Sequence, residues 1–302
     1  MSDDAGKAVY AQKFAGYSLT GDTRYECMCI GLGRTTRNGK STMFETLLAM
    51  HGDYGRTSRP ETIAVRQIAN ASGPTEDIAR LAGVRYVNIN ELDRKLSLSA
   101  ATVKSLTGND SINARYLNEN SFTFKPSFKI FINTNHLPVI SDMTLFTSGR
   151  IRVIPFDRHF SDAEQDKTLK ATLTRSENLS GILNWCLEGL RRLRAEGFEM
   201  PEAVRRATED YHADSDKLSM FMEDVLIKDV DGEARTAAVY EAFANWCREN
   251  GYHAESNRSL IAMLQSVATV QRKRPKAGGD KTTMLLGYRI KPGIPLFTSL
   301  PA

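Results

Sequence analysis

No uninterrupted apolar run in the 302-residue sequence reaches the roughly 18 to 20 residues that a membrane helix needs, which excludes a spanning helix. The first thirty residues carry Asp3, Asp4, Lys7 and Lys13 where a secretory signal would need an apolar core, so the chain is expected to be neither exported nor membrane-spanning. Cysteine is scarce. Cys27, Cys29, Cys186 and Cys247 include one Cys-x-Cys spacing but no Cys-x-x-Cys pair, which argues against a zinc ribbon and against a disulfide framework, and for reduced thiols. In an extended segment Cys27 and Cys29 share a face and read as small core residues. A dominant charge sign is also lacking, since 40 Lys plus Arg against 36 Asp plus Glu leave only +4. Internal repeats and low-complexity segments are absent. With 41% apolar and 25% charged residues, the chain is neither collagen-like nor wholly disordered. Its length favours two modules over one core.

What is present is unevenly placed. Between Gln271 and Lys291 seven basic residues face the single acid Asp280, so this segment alone exceeds the net charge of the chain. Upstream, 26–31, 84–90 and 128–134 are runs of strand length rich in β-formers. Helical apolar spacing marks 42–50, 180–195, 202–211 and 236–250. Alternating strands and helices imply an α/β layer architecture to about residue 160, with a second boundary near Asp214. Beyond it, helices at 217–227, 236–250 and 257–267, the last with Ser256 as N-cap, lead into two strands around a Gly-containing turn. Three helices followed by a basic hairpin outline a winged helix.

Asn38-Gly-Lys-Ser-Thr42 follows an expected strand and a Gly31-Leu-Gly33 turn and opens an expected helix, the context that a P-loop requires. Backbone N–H groups and a helix N-terminus surround phosphates there, Lys40 neutralises the β/γ charge, and the Ser41 hydroxyl ligates Mg²⁺. ATP is the expected ligand, cradled by Gly33, Asn38, Gly39, Lys40, Ser41 and Thr42. Five residues rather than four separate Gly33 from Gly39, so the loop is expected to be one residue longer than the usual pattern. Hydrolysis needs a carboxylate at a neighbouring strand end to hold the metal or orient water, and Glu91 fits, with Asn90 in place of a second acid.

Two short β-like runs between 111 and 124 flank the polar turn Asn118–Ser121. The cation Arg115 beside the ring of Tyr116 suits a phosphate contact plus stacking on single-stranded DNA, with Lys104 and Lys129 as weaker candidates. Arg258 on the third C-terminal helix and Arg272, Lys273, Arg274 and Lys276 on the expected wing form a second candidate DNA surface.

The order of these motifs resembles the superfamily 3 helicases, in the phage and plasmid primase-helicase branch related to the poxvirus primase-helicase. The residues that carry the resemblance are Asn38–Ser41, the strand before Glu91, Leu106-Thr-Gly-Asn-Asp110, Ala114-Arg-Tyr-Leu117, Thr134-Asn-His-Leu-Pro138 and Arg150-Ile-Arg-Val-Ile-Pro-Phe156. Gly16–Asp22 and Gly181–Trp185 also look like that family. The sequence departs from the pattern at Asn109, where a second glycine is usual, and at Gly149, where an arginine commonly stands.

The resemblance implies an AAA+-type core with helical segments and a C-terminal winged helix: 1–24 a helical lead-in, 25–160 the ATPase core, 161–213 its helical segment, 214–302 the winged-helix DNA-binding domain. It further implies that Asn135 senses the γ-phosphate or attacking water. Arg150, or Arg152 in its place, reaches the ATP of a neighbouring subunit, and the 111–124 hairpin enters the channel of a hexameric ring. The implied function is an ATP-dependent DNA helicase in phage, plasmid or mobile-element replication, within the cytoplasm of a bacterial or phage-infected cell and with a primase or polymerase as partner. With about thirty residues ahead of the P-loop, no primer synthesis is expected of this polypeptide. Two other readings stand beside it: a non-hydrolysing DNA-binding replication initiator, and an AAA+ ATPase that remodels a protein.

Overall fold

The structure is a computed structural model that describes residues 4–65, 75–92, 96–140, 142–250, 252, 254–275 and 280–294. It divides into two compact units, Met1–Asp93 with Leu98–His212, and Arg94–Ser97 with Ala213–Ala302.

The first unit opens with α1 (Ala5–Ser18), β1 (Met28–Leu32), α2 (Lys40–His51), β2 (Gly55–Ser58), α3 (Glu76–Ala79), β3 (Tyr86–Asn90) and α4 (Ala100–Thr107). A short hairpin of β4 (Ile112–Ala114) and β5 (Phe122–Phe124) leads to β6 (Lys129–Thr134), α5 (Thr144–Thr147) and β7 (Ile151–Pro155). The helices α6 (Leu169–Leu173), α7 (Ser176–Glu196) and α8 (Glu202–Val225) follow. Five strands form one parallel sheet in the order β2-β3-β6-β1-β7, so the fold is mixed α/β with a parallel central sheet.

Of the three inner strands, β1 and β6 are buried at every position, as expected where helices cover both faces of a parallel sheet. Phe131 on β6 is the meeting point of the core. Its ring lies 5.1 Å from Phe14 of α1, 5.9 Å from Phe44 of α2 and 4.5 Å from Tyr86 of β3. Burying one such side chain stabilises the fold by about 1.5–3 kcal/mol. Cys27 and Cys29 are buried, and burial pushes the Cys27 thiol up to about 11. α1 is capped by Asp4, whose carboxylate accepts the Lys7 amide proton at 2.9 Å.

Several sequence expectations change here. β2 escaped detection because Gly-Arg-Thr-Ser is an edge strand with no apolar alternation, and β7 read as an arginine motif although Ile151, Val153 and Ile154 are core residues. Lys129 is not available to DNA: it is 2% exposed, donates to the Thr20 carbonyl and lies 4.3 Å over the Tyr17 ring. Lys104 pairs with Asp142 at 3.3 Å.

In the second unit β8 (Leu226–Arg235) precedes α9 (Thr236–Glu249), α10 (Asn257–Val267), β9 (Thr269–Lys273) and β10 (Thr282–Ile290). The three strands are antiparallel in the order β8-β10-β9. The sequence reading ran a helix over 217–227, whereas α8 stops at Val225 and 226–235 form β8. β8 exposes most of its side chains and is held by backbone pairing to β10, so its polar sequence gave no strand signal. Ser256 caps α10 as expected, accepting from the Ser259 amide at 3.2 Å. Phe221, Phe243 and Trp246 form an edge-on aromatic cluster in this core, with the Trp246 indole donating to Asp224 at 2.8 Å.

Candidate functional site

The strand order creates a divergence in the sheet. After β1 the chain crosses to β2 at one edge, and after β6 it crosses to β7 at the other. A crevice therefore opens between the carboxyl ends of β1 and β6, where open parallel sheets bind ligands. Residues 33–39 line one side of it and Asn135 the other.

The loop is shaped by two glycines. A Cβ on Gly33 would lie 2.0 Å from Asn38 Nδ2 and 2.7 Å from Lys40 Nζ, so only glycine lets these side chains fold back over the strand end. Gly39 has φ of +84°, a left-handed geometry that turns the chain into α2. Arg37 carries the remaining bend at φ of +56°, and the chain after β7 braces it. The Phe160 amide donates to the Arg37 carbonyl at 2.9 Å, His159 Nδ1 lies 2.8 Å from the Thr36 carbonyl, and the Arg37 guanidinium pairs with Asp162.

Lys40 is the first residue of α2 and is 4% exposed. Its ammonium donates to Asn135 Oδ1 at 2.8 Å, Asn38 Oδ1 at 3.3 Å and the Gly33 carbonyl at 3.5 Å. These acceptors are all neutral, and among the described residues no carboxylate pairs with Lys40. Burial holds its pKa below the ordinary lysine value. An uncompensated cation at a helix N-terminus is a receptor for an anion.

Asn133 organises the other wall. Its amide donates to Ser41 Oγ at 3.1 Å and to Asn90 Oδ1 at 3.2 Å, while its carbonyl accepts from the Glu91 amide at 2.9 Å. Glu91 is exposed at the end of β3 with φ of +53°. Asn133 was given no role by the sequence reading and Asn90 only that of replacing a second acid, although amides at 88, 90 and 133 interrupt otherwise apolar strands and mark where a sheet turns polar. No group of three or more His, Cys, Asp or Glu among the described residues is placed to hold a metal. A divalent cation here would rest on Ser41 and Glu91 together with ligand oxygens and water. Beside Gly39 and Thr42 lies a cavity of about 760 Å³, walled by Met43, Leu47, Phe160, Leu169 and Trp185.

Arg150 is not part of this crevice. It precedes β7, its carbonyl accepts the Met28 amide at 2.8 Å, and it therefore stands at the amino rim of the sheet while Lys40 stands at the carboxyl rim. Its guanidinium donates to Glu26 Oε2 at 2.6 Å and Thr107 Oγ1 at 2.7 Å. Arg152 is half-buried on β7 with Nε unpartnered.

The β4–β5 hairpin forms around the expected turn, with Asn118 at φ of +61°. Tyr116 is packed: its ring stacks on Phe122 at 5.8 Å and its hydroxyl donates to the Ala79 carbonyl at 3.1 Å. Arg115 is half-buried, and Leu117 is exposed beside them. In the second unit Arg258, Arg272 and Arg274 are exposed, Lys273 pairs with Glu233, and Lys276 lies outside the described residues.

The first unit is a mixed α/β fold with a parallel central sheet and a glycine-shaped loop between β1 and α2. Residues 32–150 match a family described as "Family of unknown function (DUF5906)", and residues 213–291 match the family "Poxvirus D5 protein-like". The chain is 30% identical over 264 residues to "Putative helicase 022R" of Frog virus 3 (isolate Goorha), covering 81% of this chain and 27% of that protein. It is 28% identical over 268 residues to "Putative helicase L207/L206" of Acanthamoeba polyphaga mimivirus, covering 83% of this chain and 28% of that protein. The chain thus spans just over a quarter of the length of these relatives. Among solved structures the apo C-terminal region of NrS-1 shares the fold, with a TM-score of 0.52 at 12% identity over 94% of this chain and 72% of that one. Together these matches support a family like that of the poxvirus D5 protein, with viral putative helicases among the relatives. No helix among the described residues is long and apolar enough to cross a membrane.

Proposed function

We propose that this chain is the ATP-hydrolysing motor of a ring-forming DNA helicase of superfamily 3, with a P-loop at 33–42 and a winged helix as its second unit. The observation that carries the reading is Lys40, a buried ammonium at a helix N-terminus whose partners among the described residues are neutral oxygens. Triphosphate oxygens would replace those partners and neutralise the charge. The cavity beside Thr42 is apolar and roomy enough for the nucleoside. Ser41 and Glu91, joined through Asn133, are the residues that would hold Mg²⁺, which supplies charge neutralisation on the phosphates when bound. Asn135 is within reach of the group that Lys40 receives, as a γ-phosphate sensor requires.

The placement of Arg150 supports a shared site. Lys40 and Arg150 are separated by the length of the sheet, about 3.3 Å for each strand residue, so Arg150 serves the nucleotide of a neighbouring copy rather than its own. DNA is met by the hairpin around Arg115 and Tyr116 in the first unit, and by Arg258, Arg272 and Arg274 in the second.

The test is steady-state ATP hydrolysis with and without single-stranded DNA for the wild type, Lys40→Ala, Arg150→Ala and an equimolar mixture of the two variants. DNA-stimulated turnover that is lost in each variant and partly restored on mixing establishes an intersubunit motor. The lone acid Glu91 keeps a second reading in view, an initiator that binds ATP and DNA without turnover, and DNA binding by a wild type that hydrolyses nothing would select it. Hydrolysis indifferent to DNA would instead select an ATPase that remodels a protein.

A further inference from the structure

The open edge of the sheet carries a polar groove that the motor reading leaves unused. β2 is the edge strand, paired on one side only, to β3. Between it and the α3 segment lies a cavity of about 690 Å³ lined by Arg56, Ser58, Arg59, Arg80 and Tyr116, with the acids Glu76 and Asp77 also in its wall. Arg80 is taken up by an ion pair with Glu76. Arg56 and Arg59 are exposed, and among the described residues neither side chain has an ion pair or hydrogen bond. Arg56, Arg59 and Tyr116 line the same cavity, so the groove adjoins the hairpin.

We propose that this groove holds the sugar-phosphate backbone of a single-stranded nucleic acid, with Arg56 and Arg59 as its phosphate ligands. The inference rests on the DNA reading above and names a surface beyond it. Planar guanidiniums match phosphate oxygens in pairs, and two of them without internal carboxylate partners are poised for an external anion. The Ser58 hydroxyl adds a polar group, although it is already 2.8 Å from Thr62 Oγ1. A peptide adding to the open β2 edge is disfavoured, because strand addition draws its specificity from side-chain pockets and half of this lining is charged. Backbone contacts of this kind are indifferent to sequence, as a translocating motor needs.

The experiment measures anisotropy of a labelled oligothymidylate against the full chain across a range of salt concentrations. Arg56→Ala/Arg59→Ala is expected to weaken binding and to lower the slope of log K against log salt by about 1.4, the value for two phosphate contacts on a single strand. Arg56→Lys/Arg59→Lys, which keeps both charges, is expected to retain the wild-type slope. Arg191→Ala/Arg194→Ala removes two exposed arginines from α7 and is expected to leave the slope unchanged. A wild-type slope in the groove variant, or an equal fall in the α7 variant, overturns the inference and leaves the motor reading intact. An oligonucleotide that binds none of the proteins overturns the inference and the DNA reading together.

Discussion

Lys40 and Asn135 meet across the divergence of the sheet: the ammonium that opens α2 donates at 2.8 Å to an amide oxygen just beyond β6, so a neutral dipole meets the buried cation. Replacing that dipole with a charge should fill the site from within. In Asn135→Asp the new carboxylate is expected to pair with Lys40, raise the thermal midpoint of the free protein and weaken ATP binding by about tenfold, the equivalent of about 1.4 kcal/mol. Titration with a fluorescent ATP analogue, beside a melting curve, checks both parts. Unchanged affinity would show that Asn135 does not face the phosphates.

Gly33→Ala tests the fold-back of the loop. The added methyl would collide with Asn38 Nδ2 and Lys40 Nζ, whose side chains must move out of the crevice. ATP affinity is expected to fall about a hundredfold, or about 2.7 kcal/mol, while the midpoint of unfolding changes little because the loop is not core. A variant that binds ATP like the wild type would mean the lysine finds its place without this contact.

Lys129 makes stability depend on pH. Its amine is enclosed by the Thr20 carbonyl and hydroxyl and the Tyr17 ring, with Asp22 and Arg85 nearby, and burial pulls its pKa down from 10.5 to about 7. Between those two values the unfolded chain binds a proton that the folded chain has released. Stability therefore rises with pH across that window, by at most about 1.4 kcal/mol per unit, and the penalty is fully present below it. Denaturant midpoints of the wild type are expected to climb from about pH 7 to about pH 9, and those of Lys129→Met to lack that climb. Parallel curves for the two proteins would rule the amine out as the cause.

Glu26 binds two groups at once: one carboxylate oxygen accepts from Arg150 at 2.6 Å and the other from Asn109 at 3.1 Å. Glu26→Ala leaves a largely buried guanidinium without its anion and is expected to destabilise the first unit by about 1–3 kcal/mol. Once Arg150 is alanine, the same substitution should do much less. A double-mutant cycle with additive effects would exclude the coupling.

The parts of this fold that were legible in the sequence are those where burial or backbone chemistry is local. β1, β3 and β6 are buried by neighbours on both faces and show as apolar runs, and α10 announces its start with Ser256. The turn into α2 at Lys40 was legible because glycines at 33 and 39 must stand where the backbone bends this tightly. β2 and β8 were not, since backbone pairing to β3 and β10 holds them while their side chains stay polar. Asn133 was hidden for a related reason: its importance lies in reaching Ser41 from a strand 92 positions away in sequence, which no local pattern encodes. Lys129 misled because cationic identity says nothing about depth.

The opposed rims of the sheet also set the symmetry that a shared site can have. On the proposed shared site, with the anion receptor at one rim and Arg150 at the other, a head-to-tail contact would let each copy offer its receptor to one neighbour and its Arg150 to the next. Repetition of such a contact closes into a ring or runs on as a filament. In a ring every receptor faces an arginine, whereas an open arc always leaves one receptor unserved at its end. Turnover per chain should accordingly climb as arcs lengthen and level off when they close.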